Sequence, residues 1–467
     1  MQVENPPKTG SLVAYGAMVV ATVVAFLVIR EYGETLPAPD AASVEAAAAA
    51  SRSPDIILHV LIALFAVIAT GYIFGRLFAY VGQPPVIGEV VAGVFLGPSL
   101  LGVETSGLIL PADVGPYLGV IAQIGVILYM FLVGLELDLD LVRQRPHATI
   151  MTSHASILLP FLLGALLALY LYPRLASADV PFTNFALFVG VAMSITAFPV
   201  LARILTDRRM ARTRLGVVAL TCAAMGDVTA WCLLAFVVGL VTAEGGEGFI
   251  VTVGALAYIA FMVVIARPIL GRIVRSWPQE RLSRDAIVLT FFALLVSAAA
   301  TEAIGIHAIF GAFLLGAVIP HDSVLARVLP PQLDHIVSVL LLPAFFAFTG
   351  MRTRIDLLAD VGQWLVCGLI ILIATIGKFG GTLIAARLTG HTWRDSAILG
   401  TLMNTRGLME LIVLNIGLEL GVISPALFAM MVLMALVSTV ATAPVLSLLS
   451  PETETVADAE VSAIEVR

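Results

Sequence analysis

Long apolar segments, separated by short polar ones, fill most of this sequence. Hydrophobic residues account for 60% of the 467 residues and charged residues for only 12%, and the mean hydropathy is +1.04. Charged residues make up about a quarter of an ordinary soluble domain. A helix needs about 20 apolar residues to cross the hydrocarbon core of a bilayer. The sequence therefore predicts an all-α polytopic membrane protein.

We predict fourteen membrane segments from these runs. They cover residues 11–30, 55–81, 84–100, 117–137, 148–172, 184–206, 212–240, 249–275, 285–304, 306–321, 335–350, 361–388, 394–418 and 425–448. The first is long and lacks a basic region before it, which favours a membrane anchor over a cleaved signal sequence. We expect an extra N-terminal helix and external linker at 1–54, a membrane domain at 55–448 and an acidic cytoplasmic tail at 449–467.

Arginine residues cluster in alternate loops, at 143–145, 208–214 and 272–284. Because the cytoplasmic loops of membrane proteins are enriched in basic residues, we predict a multi-pass protein of the cell membrane with both termini in the cytoplasm. Arg352 and Arg354 fall outside this alternation. The formal net charge is -7 and no long basic run is present, so nucleic-acid binding is not expected.

Two charged residues lie deep inside predicted membrane segments. Asp227 is in the middle of 212–240, and Lys378, one of two lysines among 25 basic residues, is in the later part of 361–388. A charge at the bilayer centre costs about 2.5–3.5 kcal/mol on insertion scales, so such residues usually mark a functional site. A purely structural buried ion pair is the alternative for Asp227 and Lys378.

Further ionisable residues lie in or beside the predicted segments. Arg406 and Glu410 are one helical turn apart within 394–418, so they either neutralise each other or supply charge to a functional site. We interpret Glu89 as an interfacial or packing carboxylate. Glu302 and His307 are expected near the outer interface.

Two predicted segments carry residues that interrupt a helix. The run SITAFPVLARIL places Thr196 and Pro199 in mid-membrane, and the run MNTRGLMELIV places Asn404, Thr405 and Gly407 inside an apolar helix. Proline removes a backbone hydrogen bond and frees carbonyl groups. Broken helices in two halves of a chain, together with an intramembrane charge, are typical of secondary transporters built from inverted repeats.

A buried carboxylate that water can reach is able to bind either a proton or a hard monovalent cation, since desolvation favours its neutral form. Thr196, Asn404 and freed backbone carbonyls could provide further oxygen ligands for Na+ or K+ bound at Asp227. If the site opens to the other side of the membrane only when an ion is bound in it, the cation flux in one direction is coupled to the proton flux in the other. Lys378 could bond Asp227 in the empty state and release it when a cation arrives, or it could stay charged and balance helix C-termini.

Several long motifs carry a resemblance to a known family. They are PPVIGEVVAGVFLGPSLLG at 84–102, FLVGLELDLD at 131–140, SITAFPVLARIL at 194–205, the stretch around Asp227, IGIHAIFGAFLLGAVIP at 304–320 and MNTRGLMELIVLNIG at 403–417. In this order they resemble the second family of monovalent cation:proton antiporters. That family includes bacterial potassium-efflux and sodium/proton exchangers and plant and fungal cation/H+ exchangers.

The resemblance implies a homodimer with thirteen helices per subunit and interleaved dimerisation and core domains, the core moving like an elevator. Segment 11–30 would be an extra helix. Asp227 matches the ion-binding aspartate of the family, and Lys378 matches its membrane-embedded lysine. Thr196 lies in the first broken helix of the family, and Glu410 matches an acidic position in the second broken helix. The resemblance implies a transporter for pH homeostasis, with no enzymatic activity and no cofactor besides the transported Na+ or K+ and H+.

Gly226, directly before Asp227, departs from the family pattern. Electrogenic members carry two adjacent carboxylates, whereas many other exchangers have Asn or Gln before the single Asp. With no acid at position 226 we expect one cation per proton and electroneutral exchange. The alternatives are a cation channel, although no filter-like carbonyl loop is present, and an intramembrane aspartyl protease, for which a second membrane aspartate is missing.

Overall fold

The computed structural model describes residues 9–36, 56–111, 113–136, 147–177, 180–210, 213–242, 248–278 and 282–449. The α-helices in these ranges are α1 (Thr9–Gly33), α2 (Ile56–Tyr80), α3 (Pro85–Leu96), α4 (Pro98–Ile109), α5 (Gly115–Glu136), α6 (His147–Leu175), α7 (Phe182–Ser194), α8 (Phe198–Asp207), α9 (Arg214–Thr242), α10 (Gly248–Phe261), α11 (Arg267–Arg275), α12 (Arg284–Ile304), α13 (Ala308–Val318), α14 (Val324–Ile336), α15 (Leu342–Arg352), α16 (Val361–Thr375), α17 (Gly381–Leu388), α18 (Trp393–Met403), α19 (Leu408–Glu419) and α20 (Pro425–Leu449). The predicted linker from 37, the arginines at 143 and 145 and the predicted tail from 450 lie outside the described residues.

The predicted all-α membrane fold is confirmed. Within the described ranges, 11 helices are long and apolar enough to cross a membrane, or up to 13 if each of two bent helix pairs is one span. Helix α13 is a shorter apolar helix. Three spans contain one π-helical turn each, at Met262–Ala266, Val337–Leu341 and Ile376–Gly380.

Two described helices lie largely outside the predicted segments, α4 and α14, the latter beginning at Val324 rather than at the predicted 335. The segment expected at 84–100 ends as a helix at Leu96, and α4 follows after Gly97 with a bend of 63°. Proline is favoured in the first turn of a helix because its missing N–H would be unpaired there, so Pro98 suits the start of α4. A Cβ atom on Gly97 would lie only 2.7 Å from the carbonyl oxygen of Gly350, and the bend therefore needs a glycine.

The chain forms two compact units, each discontinuous in sequence. The first comprises Met1–Ser43, Leu141–Ala230 and Leu358–Arg467, and the second comprises Val44–Asp140 and Trp231–Leu357. Each unit therefore contains helices from both halves of the chain. All of the predicted site residues belong to the first unit.

Small residues bring the helices of the first unit close together. Helix α6 packs against α7 and α17. A Cβ atom on Gly164 would lie 3.0 Å from Cα of Gly190, and one on Gly381 would lie 2.9 Å from the carbonyl oxygen of Ala155. Membrane helices associate mainly through such close packing, because moving an apolar side chain from lipid into a helix interface gains no hydrophobic free energy.

The second unit has α3 packed against α2 and α15, and α13 packed against α5 and α12. The Trp231 ring meets the Phe310 ring edge-on, with centroids 5.4 Å apart. At the start of α13, the backbone N–H of Ala308 donates to Oε2 of Glu302 at 2.7 Å. Large apolar side chains such as Phe292 on α12 are exposed, as expected for a surface that faces lipid.

Candidate functional site

The first break lies between α7 and α8, at residues 195–197. Ile195 and Ala197 have extended backbone conformations. Pro199 is in the first turn of α8, a position where the missing N–H of proline disturbs no helical hydrogen bond. The interruption is thus N-terminal to the proline, and it leaves the last carbonyl groups of α7 without helical partners.

The second break lies between α18 and α19, at residues 404–407, and the two helices are bent by 46°. Gly407 is the last residue before α19. A Cβ atom at this position would lie 2.8 Å from Cγ2 of Val200 on α8. The absence of a side chain at Gly407 therefore allows the second break to lie against the first broken helix.

Two hydrogen bonds join the breaks directly. The backbone N–H of Ala197 donates to the carbonyl oxygen of Thr405 at 3.0 Å, and the Thr196 hydroxyl donates to the carbonyl oxygen of Met403 at 3.1 Å. Thr196 is 3% exposed. Each break thus supplies partners for backbone groups that the other leaves unpaired, which a buried chain segment requires.

The C-terminal end of α7 faces two basic side chains. Lys378 Nζ donates to the carbonyl oxygen of Ser194. Arg406 donates through Nη2 to the carbonyl oxygen of Met193 at 2.9 Å and through Nη1 to that of Ala192 at 3.3 Å. A helix C-terminus carries partial negative charge, so cations stabilise it.

Arg406 also forms an ion pair with Glu410. Its Nη1 atom lies 3.1 Å from Oε1 and 3.0 Å from Oε2 of the carboxylate, and both side chains are fully buried. The two residues therefore do neutralise each other, and Arg406 binds α7 at the same time. Removing one partner of such a buried pair would leave the other charge uncompensated.

Lys378 lies in the π-helical turn Ile376–Gly380 and is fully buried. π-Helical turns inside α-helices are rare and are frequent at functional sites. The neighbouring Gly377 packs on α6, where a Cβ atom would lie 2.8 Å from Cα of Pro160. This close contact fixes the segment that carries the lysine.

Asp227 is in α9 and is 1% exposed. Neither of its carboxylate oxygens has a hydrogen-bond partner among the described residues. Lys378 does not hydrogen-bond to it, since its Nζ atom binds the carbonyl oxygen of Ser194. A Cβ atom on the preceding Gly226 would meet only Cδ1 of Ile157 among the described residues, at 4.0 Å, its chain neighbours aside, so position 226 has room for at least a methyl group.

Two further oxygen atoms at the second break are buried without a hydrogen-bond partner in the described part of the chain. They are Oδ1 of Asn404 and Oγ1 of Thr405. Thr405 was predicted to interrupt the helix at 394–418 but not to bind an ion, although it is the middle one of three consecutive polar residues in an apolar segment. Buried polar atoms cost free energy unless a ligand or partner satisfies them, so both are candidate ligand atoms.

No three or more His, Cys, Asp and Glu side chains are grouped so that they could hold a metal ion within the described ranges. Asp227 is therefore not part of such a group.

Comparison with known proteins gives a family match over most of the chain. The model of the family described as "Sodium/hydrogen exchanger, transmembrane" matches residues 57–448. The chain is 43% identical over 403 residues to the Na(+)/H(+) antiporter NhaS4 of Synechocystis sp., with 85% of this chain and 98% of that protein covered. Helix α1 precedes the matched region.

Eukaryotic relatives match over the same part of the chain. Cation/H(+) antiporter 20 of Arabidopsis thaliana is 40% identical, with 81% of this chain and 47% of that protein covered. K(+)/H(+) antiporter 1 of Saccharomyces cerevisiae is 34% identical, with coverages of 80% and 44%. The chain thus spans about half the length of these plant and fungal relatives.

The fold is also similar to a solved structure. The sodium proton antiporter MjNhaP1 from Methanocaldococcus jannaschii at pH 8 superimposes with a TM-score of 0.59 and 16% sequence identity, over 84% of this chain and 98% of that one. This likeness concerns the fold, whereas the family model and the 43% identity concern the sequence. Together they show that the chain belongs to the sodium/hydrogen exchanger family.

Proposed function

We propose that this cation/proton antiporter exchanges Na+ or K+ for H+ by competition of the two ions at Asp227. The observation that carries the proposal is the buried Asp227 carboxylate, whose two oxygens lack hydrogen-bond partners among the described residues. A buried carboxylate needs either a proton or a counter-cation. The relatives are named as Na+/H+, K+/H+ and cation/H+ antiporters, which supports exchange of these ions.

The neutral oxygen atoms near the two breaks would complete the cation site. Thr196, Asn404 and Thr405 carry side-chain oxygens in or next to a break, and interrupted helices expose backbone carbonyl groups that can replace the hydration shell of an ion. These ligands carry no charge, so they bind a cation without binding a proton in its absence. Asp227 is then the group at which the two ions exclude each other.

The charges at the second break and beside Asp227 support electroneutral exchange. Arg406 and Glu410 form a buried ion pair and cancel, and position 226 carries no second carboxylate. One carboxylate that holds either one proton or one monovalent cation moves the same charge in both directions. We therefore propose a stoichiometry of one to one.

Access to the site would alternate by an elevator-type movement, and we propose a homodimer in the cell membrane with both termini in the cytoplasm. Thr196, Asp227, Lys378, Asn404 and Arg406 all belong to the first unit, so this unit can carry the complete site as one body. A channel would instead need a pore open to both sides at once. The proposal requires that proton flux stops when no counter-cation is present.

The experiment is exchange by purified protein in proteoliposomes, followed with an internal pH-sensitive dye. Addition of Na+, K+, Li+ or Rb+ in turn should drive proton movement, and the rate should not change when the membrane potential is clamped at different values. Asp227→Asn should abolish exchange while the protein stays folded. Asp285→Asn is the matched control, because this exposed carboxylate is on α12, in the second unit.

Unaltered exchange by Asp227→Asn would contradict competition at this residue. Proton flux without any counter-cation would favour a channel, and a rate that follows the membrane potential would exclude electroneutral exchange. Cation selectivity between Na+ and K+ is read from the same series of measurements.

A further inference from the structure

Thr439, on α20, binds both backbone groups of Arg406. The backbone N–H of Arg406 donates to Oγ1 of Thr439 at 3.0 Å, and the Thr439 hydroxyl donates to the carbonyl oxygen of Arg406 at 2.7 Å. The same hydroxyl lies 2.9 Å from the carbonyl oxygen of Ala435 in its own helix. Thr439 is 2% exposed. One buried side chain therefore serves as donor and acceptor for a residue 33 positions earlier.

Arg406 needs this partner because it lies in the second break. Neither α18 nor α19 includes it, so no helical turn supplies partners for its peptide groups. A buried backbone N–H or C=O without a partner costs free energy. The Thr439 hydroxyl satisfies both groups and so determines where the backbone of the break can lie.

The position of this backbone decides what the Arg406 side chain can reach. Its guanidinium group binds the carbonyl oxygens of Ala192 and Met193 and the carboxylate of Glu410. These contacts cross from the second broken helix to the end of α7, directly before the first break. A shift of the Arg406 backbone would disturb the two breaks together.

We propose that Thr439 is a positioning residue of the exchange site, which acts through Arg406 to hold the two breaks in their cation-binding arrangement. Thr439 would not touch the ion. The proposal rests on the proposed function, since it concerns the affinity of the same site for the transported cation.

Helix α20 offers a matched control in Thr442. Thr442 is also 2% exposed, and its hydroxyl donates to the carbonyl oxygen of Ser438 in its own helix at 3.0 Å. Replacing either threonine with valine removes a buried hydroxyl from the same helix. Only at position 439 does the replacement also remove the partner of a break residue.

The test compares Thr439→Val, Thr439→Ser and Thr442→Val in proteoliposomes, with rates normalised to folded protein and measured over a range of cation concentrations and pH. We expect Thr439→Val to raise the apparent KM for the cation about ten-fold, which corresponds to about 1.4 kcal/mol, and to shift the pH profile. Thr439→Ser keeps the hydroxyl group, so its KM should remain close to the wild-type value. Thr442→Val should leave KM unchanged.

A KM for Thr439→Val equal to that of Thr442→Val would overturn the proposal, whether both values are raised or both are those of the wild type. If Thr439→Val does not fold, Thr439→Cys replaces it. The thiol is a weaker hydrogen-bonding group, so its KM should lie above that of Thr439→Ser, and a wild-type value would overturn the proposal. The proposed function fails separately, if the wild-type protein shows no exchange or if Asp227→Asn retains it.

Discussion

The ammonium group of Lys378 donates a hydrogen bond to the carbonyl oxygen of Ser194, the last residue of α7. The two residues are 184 positions apart in the chain. Arg406 binds the two preceding carbonyl groups of the same helix end. Two basic side chains therefore bind the carbonyl groups of one helix C-terminus, and the hydrogen bond of Lys378 goes to this terminus and not to Asp227.

Lys378→Gln should lower the free energy of unfolding by about 1–3 kcal/mol, because it removes a charged donor from a buried carbonyl group. We expect the variant to retain exchange at a reduced rate. Lys378→Arg should also lose stability, since the packed turn leaves little room for a guanidinium group. Thermal unfolding and proteoliposome exchange check both variants. A glutamine variant that is as stable as wild type yet inactive would instead indicate that Lys378 cycles a proton.

Gly226→Asp should make exchange sensitive to the membrane potential. A Cβ atom at position 226 would meet only Ile157 among the described residues, so a short side chain can be introduced there. Two carboxylates can exchange more than one proton per cation. The check is a comparison of rates at clamped potentials of opposite sign. Gly226→Asn introduces a side chain of the same size and shape without charge, so its rate should stay independent of the potential, as in wild type.

Gly407→Ala should lower the free energy of unfolding by about 1–3 kcal/mol, the usual cost of overpacking a close contact, and should slow exchange. The added methyl group would meet Val200 on the other broken helix. Gly368→Ala is the control, because a Cβ atom at this exposed position of α16 meets nothing within 4 Å. Thermal unfolding and exchange are measured on both, and equal effects would argue against a contact between the breaks.

Helix α1 should remain in the mature protein as part of the first unit. Phe26 packs against Phe161 on α6, with ring centroids 5.7 Å apart. Glu34, directly after α1, accepts hydrogen bonds from Thr183 at 2.6 Å and from Arg30 at 2.7 Å. The intact mass of the purified protein checks retention, and a mass that lacks the first helix would show cleavage.

Glu34 also makes the attachment of α1 sensitive to pH. The hydrogen bond from Thr183 and then the one from Arg30 lower its pKa. A carboxylate with a lowered pKa stabilises the fold above its unfolded pKa, about 4.3, and loses this contribution as the pH falls through the folded value. Glu34→Gln should therefore lower Tm by about 1 °C at pH 7, and the difference should disappear once the pH lies below the pKa of Glu34 in the folded protein. Glu31→Gln, which changes an exposed residue of the same helix, should leave Tm unchanged.

The helices themselves could be predicted from the sequence because bilayer thickness fixes their length. Two structural features could not be predicted in this way. The apolar pattern of 361–388 is the same whether or not a π-helical turn occurs at Lys378, and α4 is too short and too mixed to be recognised as a span. Thr439 was missed for a related reason, since a threonine in an apolar helix ordinarily bonds a carbonyl group of its own helix.

The sequence by itself determined the class of protein, the positions of the two breaks and the unusual residues Asp227 and Lys378, because charges and helix interruptions are costly in a membrane wherever they occur. Only the tertiary structure decided which groups form hydrogen bonds or ion pairs with the buried charges and with the unpaired backbone groups at the breaks. Arg406 reaches Met193 across 213 positions, and Lys378 pairs with Ser194 across 184. A hydrogen bond needs its atoms within about 3 Å, and no period or motif along a chain specifies such a distance between remote residues.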